Sequence, residues 1–133
     1  GISNTSLNDR NFYFMLQTIT SNTSLCAINA SHNGLNHTSQ TKEAFKFCLR
    51  GNKTLRCLDL SSNRFTVESA KAIHMAVLEN DSLNILRLIG NSACNAQEYK
   101  LLQEKLAKNR KYTNDQVVQF NLSNCNDGNG AAQ

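Results

Sequence analysis

Three histidines, five cysteines and ten carboxylates are the chain's stock of groups able to do chemistry. Their spacing decides what they can do. His32 and His37 flank one loop with Cys26 nearby, a set that could bind a metal. No C-x-x-C spacing accompanies them, however, and the strand register expected at Cys26 turns it away from any common centre. His74 falls between apolar helical positions and is expected to be exposed or bonded locally. Cys57 is the one conceivable nucleophile, near Asp59 and, by the alignment below, Arg87. No histidine column stands beside it to take its proton. Asp59 with Arg87 reads as an ion pair between adjacent strands rather than an acid–base pair. Neither a glycine-rich phosphate loop nor a G-x-S-x-G elbow occurs. The chain is expected not to be an enzyme, with no catalytic residue, no cofactor and no metal ligand set.

The elements that position these residues follow from Leu55-Arg56-Cys57-Leu58-Asp59-Leu60-Ser61-Ser62-Asn63, which reads L-x-x-L-x-L-x-x-N. Strand alternation sends Leu58 and Leu60 to one side and Cys57, Asp59 and Ser61 to the other. The Asn63 amide can bond backbone groups where the chain leaves the strand, and stacked asparagines would serve successive copies alike. After Asn63 the period changes: Ala70, Ile73 and Val77 recur at helical spacing. Thr66 suits the N-cap, Glu68 the first turn, and Asn80 a left-handed helix end.

The pattern recurs. Leu83, Leu86, Leu88 and Asn91 lie 28 residues on, and Leu25, Ile28, Ala30 and Asn33 lie 30 residues back. A further step of 34 from Leu83 reaches Val117, Phe120, Leu122 and Cys125. The joints Asn22-Thr-Ser-Leu, Asn52-Lys-Thr-Leu and Asn80-Asp-Ser-Leu precede three of the strands. This is the leucine-rich-repeat signature, and strand plus helix per unit resembles its ribonuclease-inhibitor-like class. The resemblance implies an α/β solenoid, a short horseshoe arc with a parallel sheet on the concave side and helices on the convex side. Strands are expected near 25–30, 55–60, 83–88 and 117–122, and helices near 9–21, 40–50, 67–79 and 95–108. Residues 1–125 then form one repeat domain and 126–133 a flexible tail. Ile2 aligns with Leu60, so the chain is read as entering inside a repeat, with more repeats or another domain before Gly1.

Composition narrows the setting. A 40% apolar fraction suits a folded core, and no apolar run reaches the length of a membrane helix. The net charge of +4 is mild, and Lys100, Lys105, Lys108, Arg110 and Lys111 cluster at the last helix without interleaved aromatics to stack bases. Neither nucleic acid nor membrane insertion is expected. An odd number of cysteines without paired spacing points to a reducing, cytoplasmic compartment, or a host cytosol if the protein is delivered there. Seven N-x-[ST] sequons are read as a by-product of an asparagine-rich chain.

The surface left to bind is the concave sheet face. Its outward columns give a candidate partner site of Asn29, Cys57, Asp59, Ile85, Arg87, Ile89 and Asn121. Ile85 and Ile89 beside Arg87 make an apolar spot with a charged rim. The leading expectation is a non-catalytic protein-protein interaction module, a C-terminal fragment of a longer repeat protein, whose partner is another protein or an upstream domain of the same chain. The alternatives are a structural spacer or lid, or the recognition region of a larger protein such as a bacterial effector or sensor. The joint N-x-T-L resembles tropomodulin-like actin-capping proteins and cytosolic sensor proteins.

Overall fold

The computed structural model describes residues 7–36 and 39–126, with Ser39 and residues 117–126 as backbone only. The order is α1 (Asp9–Thr20), β1 (Ala27–Asn29), α2 (Ser39–Gly51), β2 (Cys57–Asp59), α3 (Val67–Val77), β3 (Ile85–Arg87), a short 3-10 helix (Ser92–Asn95) and α4 (Gln97–Asn126). The three strands form one parallel sheet in the order β1-β2-β3. Each helix packs on the next, from α1 through α4. This is an α/β fold with four helices and a small parallel sheet.

Two of the helices start at a residue that caps them. Asn8 caps α1, its side chain accepting from the Asn11 N–H at 2.8 Å. Phe12, Leu16 and Ile19 follow at helical spacing, all buried. Thr66 caps α3 in a capping box closed by Ser69. The strands are shorter than the leucine pattern, but the alternation is as expected. Leu55, Leu58, Leu60, Leu83, Leu86 and Leu88 are each at most 2% exposed, and burying each is worth about 1.5–3 kcal/mol.

Register repeats from unit to unit: Ala27, Cys57 and Ile85 are aligned partners, as are Asn29, Asp59 and Arg87. The chain leaves each strand by the same device. His32 (φ 58°), Ser62 (φ 54°) and Gly90 (φ 83°) are left-handed, each immediately before Asn33, Asn63 and Asn91. Left-handed backbone turns the chain, and the asparagine bonds what the turn exposes. Asn63 Nδ2 donates to the Ala30 and Leu60 carbonyls at 3.0 and 2.9 Å, while its Oδ1 accepts from the Asn33 and Leu35 N–H groups. Asn91 repeats the bonds one unit on, to the Leu60 and Leu88 carbonyls and from the Phe65 N–H.

A second asparagine series holds the helix-to-strand joints. Asn52 Nδ2 donates to the Ile19 and Asn22 carbonyls, and Asn80 Nδ2 to those of Leu49 and Asn52. The Oδ1 atoms of Asn22, Asn52 and Asn80 each accept from the N–H groups two and three residues on, which folds the chain from helix into strand. Asn80 is therefore no left-handed helix end; α3 ends at Val77, and its C-cap Leu78 has a right-handed backbone.

The fourth strand expected at 117–122 is corrected: those residues lie in α4, which runs 30 residues from Gln97 to Asn126. Asn109 takes the joint position, 29 residues after Asn80, with Nδ2 on the carbonyls of Asn80 and Leu83 at 2.9 and 2.8 Å. Its Oδ1 is taken by Lys105 Nζ at 2.7 Å, so nothing folds the next backbone N–H groups back and the helix continues. Asn126, expected in a tail, closes α4, and Cys125 lies within it rather than at a strand exit. Ile2, His37 and residues 127–133 lie outside the described residues.

Continuing past the last turn, α4 covers the outer edge of β3. In a parallel strand alternate residues aim their backbone groups at opposite neighbours. Those of Ile85, Arg87 and Ile89 face β2 and its flanks, where the Ile85 N–H donates to Arg56 and the Arg87 and Ile89 carbonyls accept from Leu60 and Ser62. The Asn84 N–H also reaches the Arg56 carbonyl, whereas the Asn84 carbonyl and the backbone groups of Leu86 and Leu88 face outward. Arg110 Nη1 donates to the Asn84 carbonyl at 2.7 Å and Gln103 Nε2 to that of Leu86 at 3.3 Å. The Tyr99 hydroxyl stands beside the Leu88 backbone. An edge strand is thereby blunted by side chains from a helix.

Candidate functional site

One face of the sheet is covered by helices and the other is open among the described residues. Along β1 and β3 the outward residues are exposed and the middle one buried, and along β2 the outward ones are half-buried. On the open side stand Cys57 and Ile85 in one row, Asn29, Asp59 and Arg87 in the next. Ile89 follows β3 at the turn, 67% exposed, with Ile85 at 38%. Its position is set by Gly90, where a Cβ would stand 2.9 Å from Ser62 Oγ and 3.2 Å from the Ser62 backbone. Only glycine lets the two turns approach this closely.

Charge on this face is sparse. Arg87 Nη1 lies 3.9 Å from Asp59 Oδ2, with the arginine side chain 55% exposed and the aspartate 18%. An exposed pair of that length is worth at most about 1 kcal/mol. The Asp59 Oδ1 is already used, accepting the Ser61 N–H at 3.0 Å. Asn29 is used the same way, its Oδ1 accepting from the Ser31 N–H and hydroxyl at 3.0 and 2.7 Å. These two side chains chiefly turn the backbone at the strand exits. Among the described residues the Arg87 side chain contacts only Asp59, and Ile85 and Ile89 supply apolar area on either side.

The structure brings together six of the seven expected site residues. Asn121 is corrected: it lies in α4 and not in a strand, so the polar row ends at Arg87. The expected ion pair between Asp59 and Arg87 is present, though long. Cys57 is half-buried and Cys26 exposed, both as free thiols. Among the described residues no three His, Cys, Asp or Glu side chains stand close enough to hold a metal ion. Burial pushes the Cys48 thiol up to about 11, with a Thr20 hydrogen bond partly opposing it, so it is a core group without nucleophilic character. No helix among the described residues is long and apolar enough to cross a membrane. The sequons at Asn52 and Asn80 fall on joint asparagines 2% and 1% exposed, closed to modification in the folded chain.

Two further surfaces were not anticipated from the residues. A groove of about 540 Å³ at the entry end of the strands is lined by Lys53, Arg56, Asp81, Ser82, Tyr112 and Thr113. It exists because α4 runs on past Asn109, which no repeat alignment ending in a strand could show. A second, mostly apolar groove of about 290 Å³ lies between α1 and β1, against Met15, Ile19, Leu25 and Ile28.

No family model matches the chain, and no curated protein matches it. Solved structures do. The chain is similar to the structure titled leiomodin-1 actin-binding site 2, with a TM-score of 0.72 at 16% identity, covering 92% of this chain and 86% of that one. It is also similar to a Caenorhabditis elegans tropomodulin C-terminal domain, with a TM-score of 0.50 at 12% identity, covering 85% and 87%. At these identities the likeness is one of fold.

Proposed function

We propose that the chain is a non-catalytic protein-interaction module of the leucine-rich-repeat kind, working in the cytoplasm through the open face of its sheet. In this reading the stacked units follow a short arc, with the open face on its inside. One observation carries the proposal: Ile85 and Ile89 stand exposed on either side of Arg87, on a face that no element among the described residues covers. Exposed β-branched residues around a half-exposed cation give a partner both apolar area and a charged anchor. Conserving the strand ladder while presenting such a row needs no reacting group, and none is assigned.

Actin is the partner we put first, because one structurally similar domain is titled an actin-binding site. The test is titration of the purified chain against actin monomers, with Ile85→Asp and Arg87→Glu beside it. Lys71→Glu, on the exposed side of α3, is the control. Binding weakened about tenfold or more by either sheet variant, which is about 1.4 kcal/mol, and untouched by the control supports the reading. Binding that is equal in all four chains rules out this face. Absence of binding by the unmodified chain removes actin as the partner.

A further inference from the structure

Among the described residues, three of the contacts that join one unit to the next are left unused at the α1–β1 end. The first is the strand edge. The Cys26 carbonyl accepts from Arg56 and Cys57, and the Ala30 N–H donates to Asp59, so residues 26, 28 and 30 face β2. The backbone groups of Ala27 and Asn29 therefore face the other way, and no described residue bonds them. At β3 the equivalent groups are capped by α4, so the two ends differ.

The second is a side-chain donor. Asn52, Asn80 and Asn109 each give Nδ2 to carbonyls of the preceding unit. Asn22 makes the same turn with its Oδ1, but among the described residues its Nδ2 has no acceptor. The third is apolar. Leu25 occupies the position of Leu55 and Leu83, yet it is 40% exposed where they are 2% and 0%. It opens onto the groove lined by Met15, Ile19 and Ile28.

We infer that this end is a docking face for one more strand-and-helix unit of the L-x-x-L-x-L-x-x-N kind, its strand parallel to β1. Such a unit would pair with Ala27 and Asn29, offer joint carbonyls to Asn22 Nδ2, and lay a leucine and a helix over Leu25, Met15 and Ile19. Register favours this occupant. The Leu7 N–H donates to Asn33 Oδ1 at 3.0 Å, as Leu35 does to Asn63 and Phe65 to Asn91, so the chain already reaches this end in step with the later units. A second copy of the chain fits less well. Its β3 edge is covered by α4, and pairing β1 with β1 about a two-fold axis runs the strands antiparallel, which removes the carbonyls Asn22 requires.

The test uses amide hydrogen exchange and thermal melting on two chains. One is the chain as it stands. The other carries a copy of its own residues 39–64 fused ahead of Leu7 in place of residues 1–6, which sets the copied Asn63 one unit before Asn33. In the first, the Ala27 and Asn29 amides are expected to exchange about 100-fold faster than Ile28, independent of concentration. In the fusion they slow by about 100-fold and the Tm rises. Ala27 and Asn29 amides already as slow as Ile28 in the original chain overturn the inference, as does protection that grows with concentration, which assigns the face to a second copy. A fusion that fails to fold, melts no higher or leaves those amides fast also overturns it.

Discussion

Asn109 bonds the carbonyls of Asn80 and Leu83 as Asn80 bonds those of Leu49 and Asn52, yet the chain turns at Asn80 and runs straight on at Asn109. The difference lies at Oδ1. In Asn80 it holds the Ser82 and Leu83 N–H groups; in Asn109 it holds Lys105 Nζ. The same residue type thus joins two units in one place and docks a capping helix in the other.

The joint asparagines should therefore be worth several hydrogen bonds each. Asn80→Ala leaves the Leu49 and Asn52 carbonyls and the Ser82 and Leu83 N–H groups without their partner, all at a buried site. A loss of roughly 3 kcal/mol is expected from unsatisfied buried groups. Asn109→Ala strands only two carbonyls and one lysine, and should lose about 2 kcal/mol. Urea unfolding of both variants checks the order; equal or negligible losses would dismiss the ladder as the glue between units.

The left-handed exits give a sharper contrast. Gly90→Ala places a Cβ 2.9 Å from Ser62 Oγ and against its backbone, at a φ of 83°. The strain and the clash should together cost about 2–3 kcal/mol. Ser62→Gly, at φ 54°, relieves strain while adding unfolded-state freedom, and should stay within about 0.5 kcal/mol of the original. Thermal melts of the two variants separate backbone conformation from composition.

These exits also mark what could be read from the residues. Leu55, Leu58 and Leu60 and their counterparts at 83, 86 and 88 announce buried strands because alternation leaves one solution, and the asparagine after each exit announces its ladder. The last unit is ambiguous in sequence because Val117, Phe120 and Leu122 satisfy the strand pattern while Val117 and Phe120 also stand at helical spacing. The missing clue is a hydroxyl. Thr54 and Ser82 sit two residues after their joint asparagines and bond the preceding joint, Thr54 to the Asn22 carbonyl and Ser82 to that of Asn52. Two residues after Asn109 stands Lys111, and the stretch holds no proline or glycine to stop a helix. The open face was largely foreseeable from alternation, but its end at Arg87 was not, because α4's side chains decide it.

Alkaline pH should loosen the core through Cys48. Its thiol is raised by burial from 9.0 to about 11, so the fold favours the protonated form. The contribution is complete below the unfolded value and is lost as pH rises from about 9 to about 11, on the order of 2 kcal/mol. Tyr99, also raised by burial, acts in the same direction. Cys48→Ala should lower stability at pH 7 yet flatten its fall between pH 9 and 11, and Tyr99→Phe should flatten it further at the upper end. Denaturant curves at stepped pH that remain parallel for all three chains would contradict this.

Arg87→Glu, compared with the unmodified chain for affinity toward actin monomers by calorimetry and for melting temperature in the same buffer, tests the binding face most directly. The expected result is a Kd raised about tenfold or more with the Tm shifted by less than about 3 °C, since the side chain is half exposed and its ion pair is long. An unchanged Kd, or a loss of binding that merely follows a collapse in Tm, would contradict the assignment of Ile85, Arg87 and Ile89 as the contact row.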